Sequence, residues 1–359
     1  MATTRVPIEA IKGRGTATRH PHRFEKDVRE VFDDGWEDLE AQGLPPPRTE
    51  VTWETARSAI GEVDSPDVYF ERSLNPYRGC EHGCIYCYAR PTHSYLNLSP
   101  GLDFETRLIA KRDLAQVVRR ELARRNYEPK MVAIGTATDC YQPIERELRV
   151  TRSVIEVFSE TRHPFSLVTK SAGVERDLDL IAPMAAKHLA AVYVTITTLD
   201  PDLARKLEPR AAAPHRRLRL LRTLAEHGVP CGVSLAPQIP FLTDDMEQVL
   251  EAAWDAGARS AFYHVLRLPW EVAPLFRQWL QHHYPQRAER VMARVQDMRG
   301  GKDYDADFAT RMKGSGIWAE LLGQRFRAAV KRIGFNRERY AFDTTLFRPP
   351  SVDGQASLF

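Results

Sequence analysis

The run Gly79-Cys80-Glu81-His82-Gly83-Cys84-Ile85-Tyr86-Cys87-Tyr88 carries three cysteines in a C-x3-C-x2-C array, with an aromatic residue before the last thiol. The number three is chemically informative. A four-iron cubane in its electron-transfer form takes four thiolates. Three closely spaced thiolates with no obvious fourth leave one iron free to bind something else, which marks an enzyme site rather than an electron wire. Pro76, Gly79 and Gly83 punctuate the segment and let its backbone curl around a bulky object. A structural zinc ion competes with this reading, but it wants four ligands, so His82 or a distant cysteine must complete it. Three free thiols packed at this spacing without a metal are a redox liability.

The bulk sequence bounds what kind of protein holds such a loop. A chain of 359 residues can bury roughly three quarters of its unfolded surface. Charged residues are 28% and hydrophobic ones 43%, which excludes a disordered chain and a membrane protein. No apolar run approaches the roughly 20 residues of a spanning helix. Residues 1–8 lack the apolar stretch of a secretory signal, so the expected compartment is the cytoplasm. Five cysteines, three of them within eight positions, then read as metal-binding or catalytic rather than as a disulfide framework. The net charge of +3 is weakly basic, but it is concentrated at Arg119-Arg120 with Arg124-Arg125, at Arg216-Arg217-Leu218-Arg219 with Arg222, and over 325–339. Such clusters either meet phosphates or are the solvated faces of amphipathic helices.

Along the chain, residues 1–66 are polar and broken by Gly13, Gly15, Pro21 and Pro45-Pro46-Pro47, which predicts an extended arm with one short helix near 25–39. Residues 67–270 alternate short β-rich runs with amphipathic segments. The expected strands are 68–70, 131–136, 165–169, 191–197, 231–236 and 261–266. Between them, Asp113 is a candidate cap for a helix over 113–125, and Asp244 for one over 246–256. Pro214 opens a helix that Gly228 closes. Strands alternating with helices give an α/β protein with a parallel sheet, and six strands give a partial (β/α)6 barrel rather than a closed eight-stranded one. Residues 271–343 read as a helical extension, with helices over 270–284, 288–298 and 305–333, and residues 344–359 as a flexible tail.

Function in α/β barrels collects at the loops leaving the C-terminal ends of the strands, and the cysteine run follows the first expected strand. C-x3-C-aromatic-x-C in this position resembles the radical S-adenosylmethionine (radical SAM) superfamily, over about residues 67–270. The resemblance implies a [4Fe–4S] cluster held by Cys80, Cys84 and Cys87. Its unligated iron chelates S-adenosylmethionine, and an external electron donor drives cleavage to a 5′-deoxyadenosyl radical that abstracts hydrogen from substrate. Within the superfamily the sequence is similar to spore photoproduct lyase and its wider relatives, often labelled DNA repair photolyases. The residues that carry this are Asn75-Pro76-Tyr77-Arg78-Gly79-Cys80, Tyr86-Cys87-Tyr88, Thr138-Asp139-Cys140-Tyr141-Gln142-Pro143-Ile144-Glu145 and Leu167-Val168-Thr169-Lys170-Ser171.

The same resemblance implies further site residues. Gly135 and Thr136 match the place where the superfamily holds the methionyl amino group, although each is also simply a strand end. Lys170 corresponds to a lysine that pairs with the ligand's carboxylate, and an interior lysine is expensive to bury without a partner. Thr195 and Thr197 alternate on one strand face, as ribose contacts or as ordinary β-formers. Glu208, Arg210, Gln238 and His264 are further candidates for ligand or substrate contact. Cys140 lies broadly where the spore enzyme places its hydrogen-atom donor, but in different local sequence; donor, fourth cluster ligand and incidental loop residue all remain open. Tyr86 and Tyr88 either relay a radical or shield the cluster, and Cys231 reads as a small core residue.

The terminal Gln355-Ala356-Ser357-Leu358-Phe359 looks like the peptide by which bacterial repair proteins bind the sliding clamp, with Leu358 and Phe359 filling an apolar pocket while Gln355 hydrogen-bonds. With the basic clusters, it points to nucleic acid as substrate, for lesion repair or base modification. The open alternatives are the same chemistry on RNA, a peptide or a metabolite, and a non-enzymatic iron–sulfur protein associated with DNA.

Overall fold

The computed structural model describes residues 11–25 and 48–350. Its strands are β1 (Glu50–Thr55), β2 (Gly61–Glu62), β3 (Arg72–Leu74), β4 (Tyr77–Arg78), β5 (Arg107–Arg112), β6 (Val132–Ile134), β7 (Phe165–Thr169), β8 (Ala190–Thr195), β9 (Cys231–Gln238) and β10 (Ser260–Val265). Strands β3, β6, β7, β8, β9 and β10 lie side by side in that order, all parallel, with β2 antiparallel outside β3. Among the described residues β10 pairs with neither β2 nor β3, so the sheet is an open six-stranded arc, in line with the expected partial barrel. Helices cover its outer face. Their apolar stripes interlock with outward strand residues such as Val192, Val194 and Val233, through Val118, Val154, Leu221 and Leu250.

The first expected strand is misplaced. Residues 68–70 form no strand; pairing begins at Arg72, opposite Val132. The β-forming Tyr69 instead lays its ring beside Tyr193 and Phe262, at 5.9 and 6.5 Å. A small second sheet, β1–β5–β4, lies beside the cysteine loop, and β1 comes from the arm read as extended. Its strand is largely exposed, so no apolar alternation announced it.

Pro214 stands in the first turn of the helix Pro214–Glu226, as expected. Neither expected aspartate cap forms. Asp113 takes φ +54° with no side-chain capping bond, and Asp245, not Asp244, precedes the helix Met246–Asp255. The extension is helical over Val272–His283, Ala288–Asp297 and Gly316–Ile333. The helix expected over 305–333 is thus shortened, because a left-handed turn at Gly314 precedes it and its first residue, Gly316, also takes a positive φ. The loop before it crosses to both edges of the sheet. Val265 N donates to Met312 O at 2.9 Å, and Arg311 clasps Asp67 through two bonds of 2.6 and 2.7 Å. No helix among the described residues is long and apolar enough to cross a membrane. Most of the helix expected near 25–39, and the clamp-like Gln355, Leu358 and Phe359, lie outside the described residues.

Candidate active site

The cysteine loop leaves the C-terminal end of β3, with Cys80 and Cys84 buried and Cys87 half-buried. Its backbone is fastened from two sides. Gln142 accepts from Glu81 N at 2.8 Å and donates to Gly79 O at 3.1 Å. The wholly buried Arg90 donates to Gly83 O, Cys84 O, Pro100 O and Gly101 O at 2.9 to 3.2 Å, and to Glu105 at 2.6 Å. Asn75 Oδ1 accepts from Ala137 N at 2.8 Å, Thr138 Oγ1 donates to Tyr77 O at 3.1 Å, and Tyr77 donates to Glu145. The segments 75–80 and 138–145 are therefore two halves of one interlocked support.

The electrostatics of the loop suit a cationic centre. Burial pushes the Cys84 thiol up to about 12 and the Cys80 thiol well above its ordinary value. Thiols this desolvated stay protonated in the protein alone, whereas a bound metal centre deprotonates its ligating thiols outright. Beside them Asp139 accepts from Lys170 N and Thr169 Oγ1, both at 2.7 Å, with His82 Nδ1 at 3.3 Å. Burial works to raise the Asp139 carboxyl, but His82 and these bonds hold it below the usual range. Glu208 is held down to about 2: burial opposes this, and it is outweighed first by Arg217 and then by Lys170.

The structure brings several of the sequence candidates to the same edge of the sheet. Gly135 takes φ +85°, and a Cβ there would stand 2.9 Å from Val168 O and 3.0 Å from Cys140 Sγ. Cys140 is fully buried behind it, within the main core. Tyr88 donates to Thr136 O, and Thr136 Oγ1 accepts from Asn75 at 3.3 Å. Lys170 Nζ lies 5.8 Å from the Tyr86 ring centroid; burial works against its ammonium, which an ionised Cys84 and the Glu208 carboxylate favour. Thr195 is buried, its carbonyl accepting from Arg217 at 2.9 Å. The Thr197 hydroxyl donates to Glu208 at 2.7 Å, and Tyr86 and Arg217 donate to the same carboxylate. Arg210 pairs with Glu81 at 3.1 Å. Gln238 Oε1 and His264 Nδ1 are buried at the ends of β9 and β10 with no partner among the described residues. Cys231 belongs to the core.

Gln142, Arg90, Glu105 and Asp139 were not singled out by their chemistry in the sequence. The signal for Gln142 and Asp139 was their place in the 138–145 motif; nothing marked Arg90 or Glu105. Some members of the arginine clusters read as possible phosphate contacts are ion-paired on helix faces: Arg119 with Glu160, Arg216 with Glu175, Arg325 with Glu247 and Arg332 with Glu251.

A cysteine loop at the C-terminal edge of an open parallel α/β sheet, fastened by buried polar side chains, defines an enzyme built on a partial barrel. The Radical SAM superfamily model matches residues 74–253, and the chain belongs to that superfamily. It is 36% identical, over 65% of its length and 70% of the relative's, to an uncharacterized protein of Mycobacterium tuberculosis (strain ATCC 25618 / H37Rv). It is 26% identical to an uncharacterized protein of Methanocaldococcus jannaschii over 61% of this chain and 78% of the relative. Among solved structures it is similar to spore photoproduct lyase complexed with dinucleoside spore photoproduct, with a TM-score of 0.51 at 17% identity over 79% of each chain. A variant of that lyase with bound AdoMet and dinucleoside spore photoproduct gives 0.52 at 15% over the same shares.

The cofactors are those of the superfamily, a [4Fe–4S] cluster and S-adenosylmethionine, and its enzymes need an electron donor. The buried thiols of Cys80 and Cys84 and the half-buried thiol of Cys87, on a loop held by its main chain, fit that cluster.

Proposed function

We propose that this enzyme reductively cleaves S-adenosylmethionine and applies the resulting radical to nucleic acid, in lesion repair or base modification related to that of spore photoproduct lyase. The observation that carries the reading is the joining of the cysteine loop to the 138–145 support at the mouth of the sheet. When bound, the cluster and S-adenosylmethionine supply a 5′-deoxyadenosyl radical that abstracts hydrogen. Cys80, Cys84 and Cys87 are the ligands in this reading. A ligand's amino group sits at the strand end that Gly135 forms by packing against Val168 O and Cys140 Sγ, where the Thr136 carbonyl already serves Tyr88. Lys170 offers an ammonium to a carboxylate, and Thr195 and Thr197 border the ribose. Cys140, sealed behind Gly135, supports that strand end rather than donating a hydrogen atom. The choice of nucleic acid is supported by the fold shared with a lyase that holds a dinucleoside.

Anaerobic reconstitution with dithionite and S-adenosylmethionine is expected to yield 5′-deoxyadenosine, and Cys84→Ala to lose both cluster absorbance and cleavage. An intact cluster that yields no 5′-deoxyadenosine sinks the enzymatic reading. Incubation with irradiated DNA, followed by mass spectrometry of the digested nucleosides, tests the substrate; unchanged dimer content removes lesion repair.

A further inference from the structure

Outside the sheet, residues 11–25 form a strap over the cysteine loop, and its attachment is unusually specific. Gly15 N and Thr16 N donate to the two oxygens of Glu105 at 2.9 and 3.1 Å, and the Thr16 hydroxyl adds a bond of 3.3 Å. Arg14 donates to Glu105 O at 2.8 Å. On its other side the same carboxylate takes the Arg90 guanidinium, and neither side chain of this ion pair has any exposure. Arg90 in turn holds the carbonyls of Gly83 and Cys84, within the cysteine array itself. One carboxylate therefore ties the strap and the ligand loop together.

The fit at Gly15 is tight. A Cβ there would stand 1.8 Å from Gly83 O and 3.0 Å from Gly83 C, both backbone atoms that have no rotamer to yield. Only glycine lets the strap lie against the array. A buried ion pair gives little net stability over apolar residues of the same shape, and its worth lies in the arrangement it imposes. Here it spends nearly all its donors and acceptors on three segments of main chain, at 15–16, 83–84 and 100–101.

We propose that Glu105 and Arg90 are positioning residues that seat the 11–25 strap on the cysteine loop, so that the seated strap shields the bound cluster from solvent and slows loss of its iron. The proposal rests on Cys80, Cys84 and Cys87 being the cluster ligands. It is independent of the substrate. Outer-shell partners of this kind set how tightly a site keeps its metal, about 10- to 100-fold in affinity.

The test uses the full chain, reconstituted anaerobically, as wild type, Gly15→Ala, Glu105→Gln and Cys84→Ala. Hydrogen exchange over 11–25 reports strap seating, and transfer of iron to a ferrous chelator reports shielding. Gly15→Ala keeps both members of the ion pair and is expected to exchange freely over 11–25. It should release iron about tenfold faster or more, with a thermal midpoint near that of wild type. Glu105→Gln should do the same with a lowered midpoint, because Arg90 then lies buried and unpaired. Leu224→Ala, in the main core, controls for general destabilisation and should lower the midpoint without faster iron release. Wild-type iron release from a variant whose strap exchanges freely overturns the proposal, as does unchanged exchange over 11–25 in Gly15→Ala. Cys84→Ala separates the two readings: lost iron with a protected strap upholds the ligand assignment, whereas wild-type iron content removes it.

Discussion

Gln142 and Glu81 are joined by a 2.8 Å bond from the Glu81 amide to the Gln142 side-chain oxygen, while the other end of the same amide group donates to Gly79 O. The first turn of the cysteine loop is thus held from the loop that follows β6. In Gln142→Ala both main-chain groups are left buried without partners, at about 1–3 kcal/mol for each. Lower iron content per chain after reconstitution is expected, with faster hydrogen exchange over 79–81. Full iron content with unchanged exchange would show that the bond does not matter.

The Glu208 carboxylate gathers Tyr86, Thr197 and Arg217, all buried. Glu208→Gln strands the Arg217 guanidinium without its counter-charge and should cost about 3–5 kcal/mol, read from the urea midpoint. Replacing both residues with methionine should recover much of that loss. A single variant within about 0.5 kcal/mol of wild type, the scatter of ordinary surface changes, would refute the assignment.

Gly135→Ala forces a side chain at φ +85° into contact with Val168 O and Cys140 Sγ. The backbone cost is about 1–2 kcal/mol. Weaker binding of S-adenosylmethionine by titration is expected, with cluster content preserved. Cys140→Ala, by contrast, should leave both cluster content and S-adenosylmethionine cleavage near wild type.

His163 provides a pH dependence remote from the cysteine loop. Burial against Phe158 drives its imidazole down to about 3, from an ordinary value near 6.5. The unfolded chain then binds more protons than the folded one between these values. This contribution to stability is full above about pH 6.5 and is lost as the pH falls toward 3, by up to about 1.4 kcal/mol per pH unit. His163→Phe keeps the stacking and should flatten that part of the acid limb relative to wild type. Identical slopes would contradict it. His264 and His283, both lowered to about 4 by burial, keep the variant's curve from becoming flat.

Much of this architecture is legible in the sequence, because buried parallel strands are short apolar runs bounded by breakers. The runs opening at Phe165 and Cys231 show this, and both strands start where the pattern says. What local pattern cannot show is which side chains answer one another across the fold. Tyr69 has strand propensity, yet its neighbours are Tyr193 and Phe262, more than a hundred residues away. Strand β1 fails in the opposite direction, since its mostly exposed residues leave no alternation to read. At the site the three thiols announce themselves by spacing, whereas Arg90 and Glu105 look like any surface pair until the fold removes them from water. The basic clusters allowed two readings for the same reason, because the acidic partners of Arg119 and Arg325 lie on other helices.

The crossing loop at Arg311 has a mechanical consequence. A closed barrel is sealed all round by strand ladders, and widening it means unzipping one. Here the described contacts between that loop and the two edges of the sheet include one main-chain bond, from Val265 to Met312, and the clasp of Arg311 on Asp67. A guanidinium and a carboxylate can part and meet again without the sheet losing a rung. The mouth therefore has a latch rather than a weld, and because both of its side chains are largely buried, salt does little to loosen it.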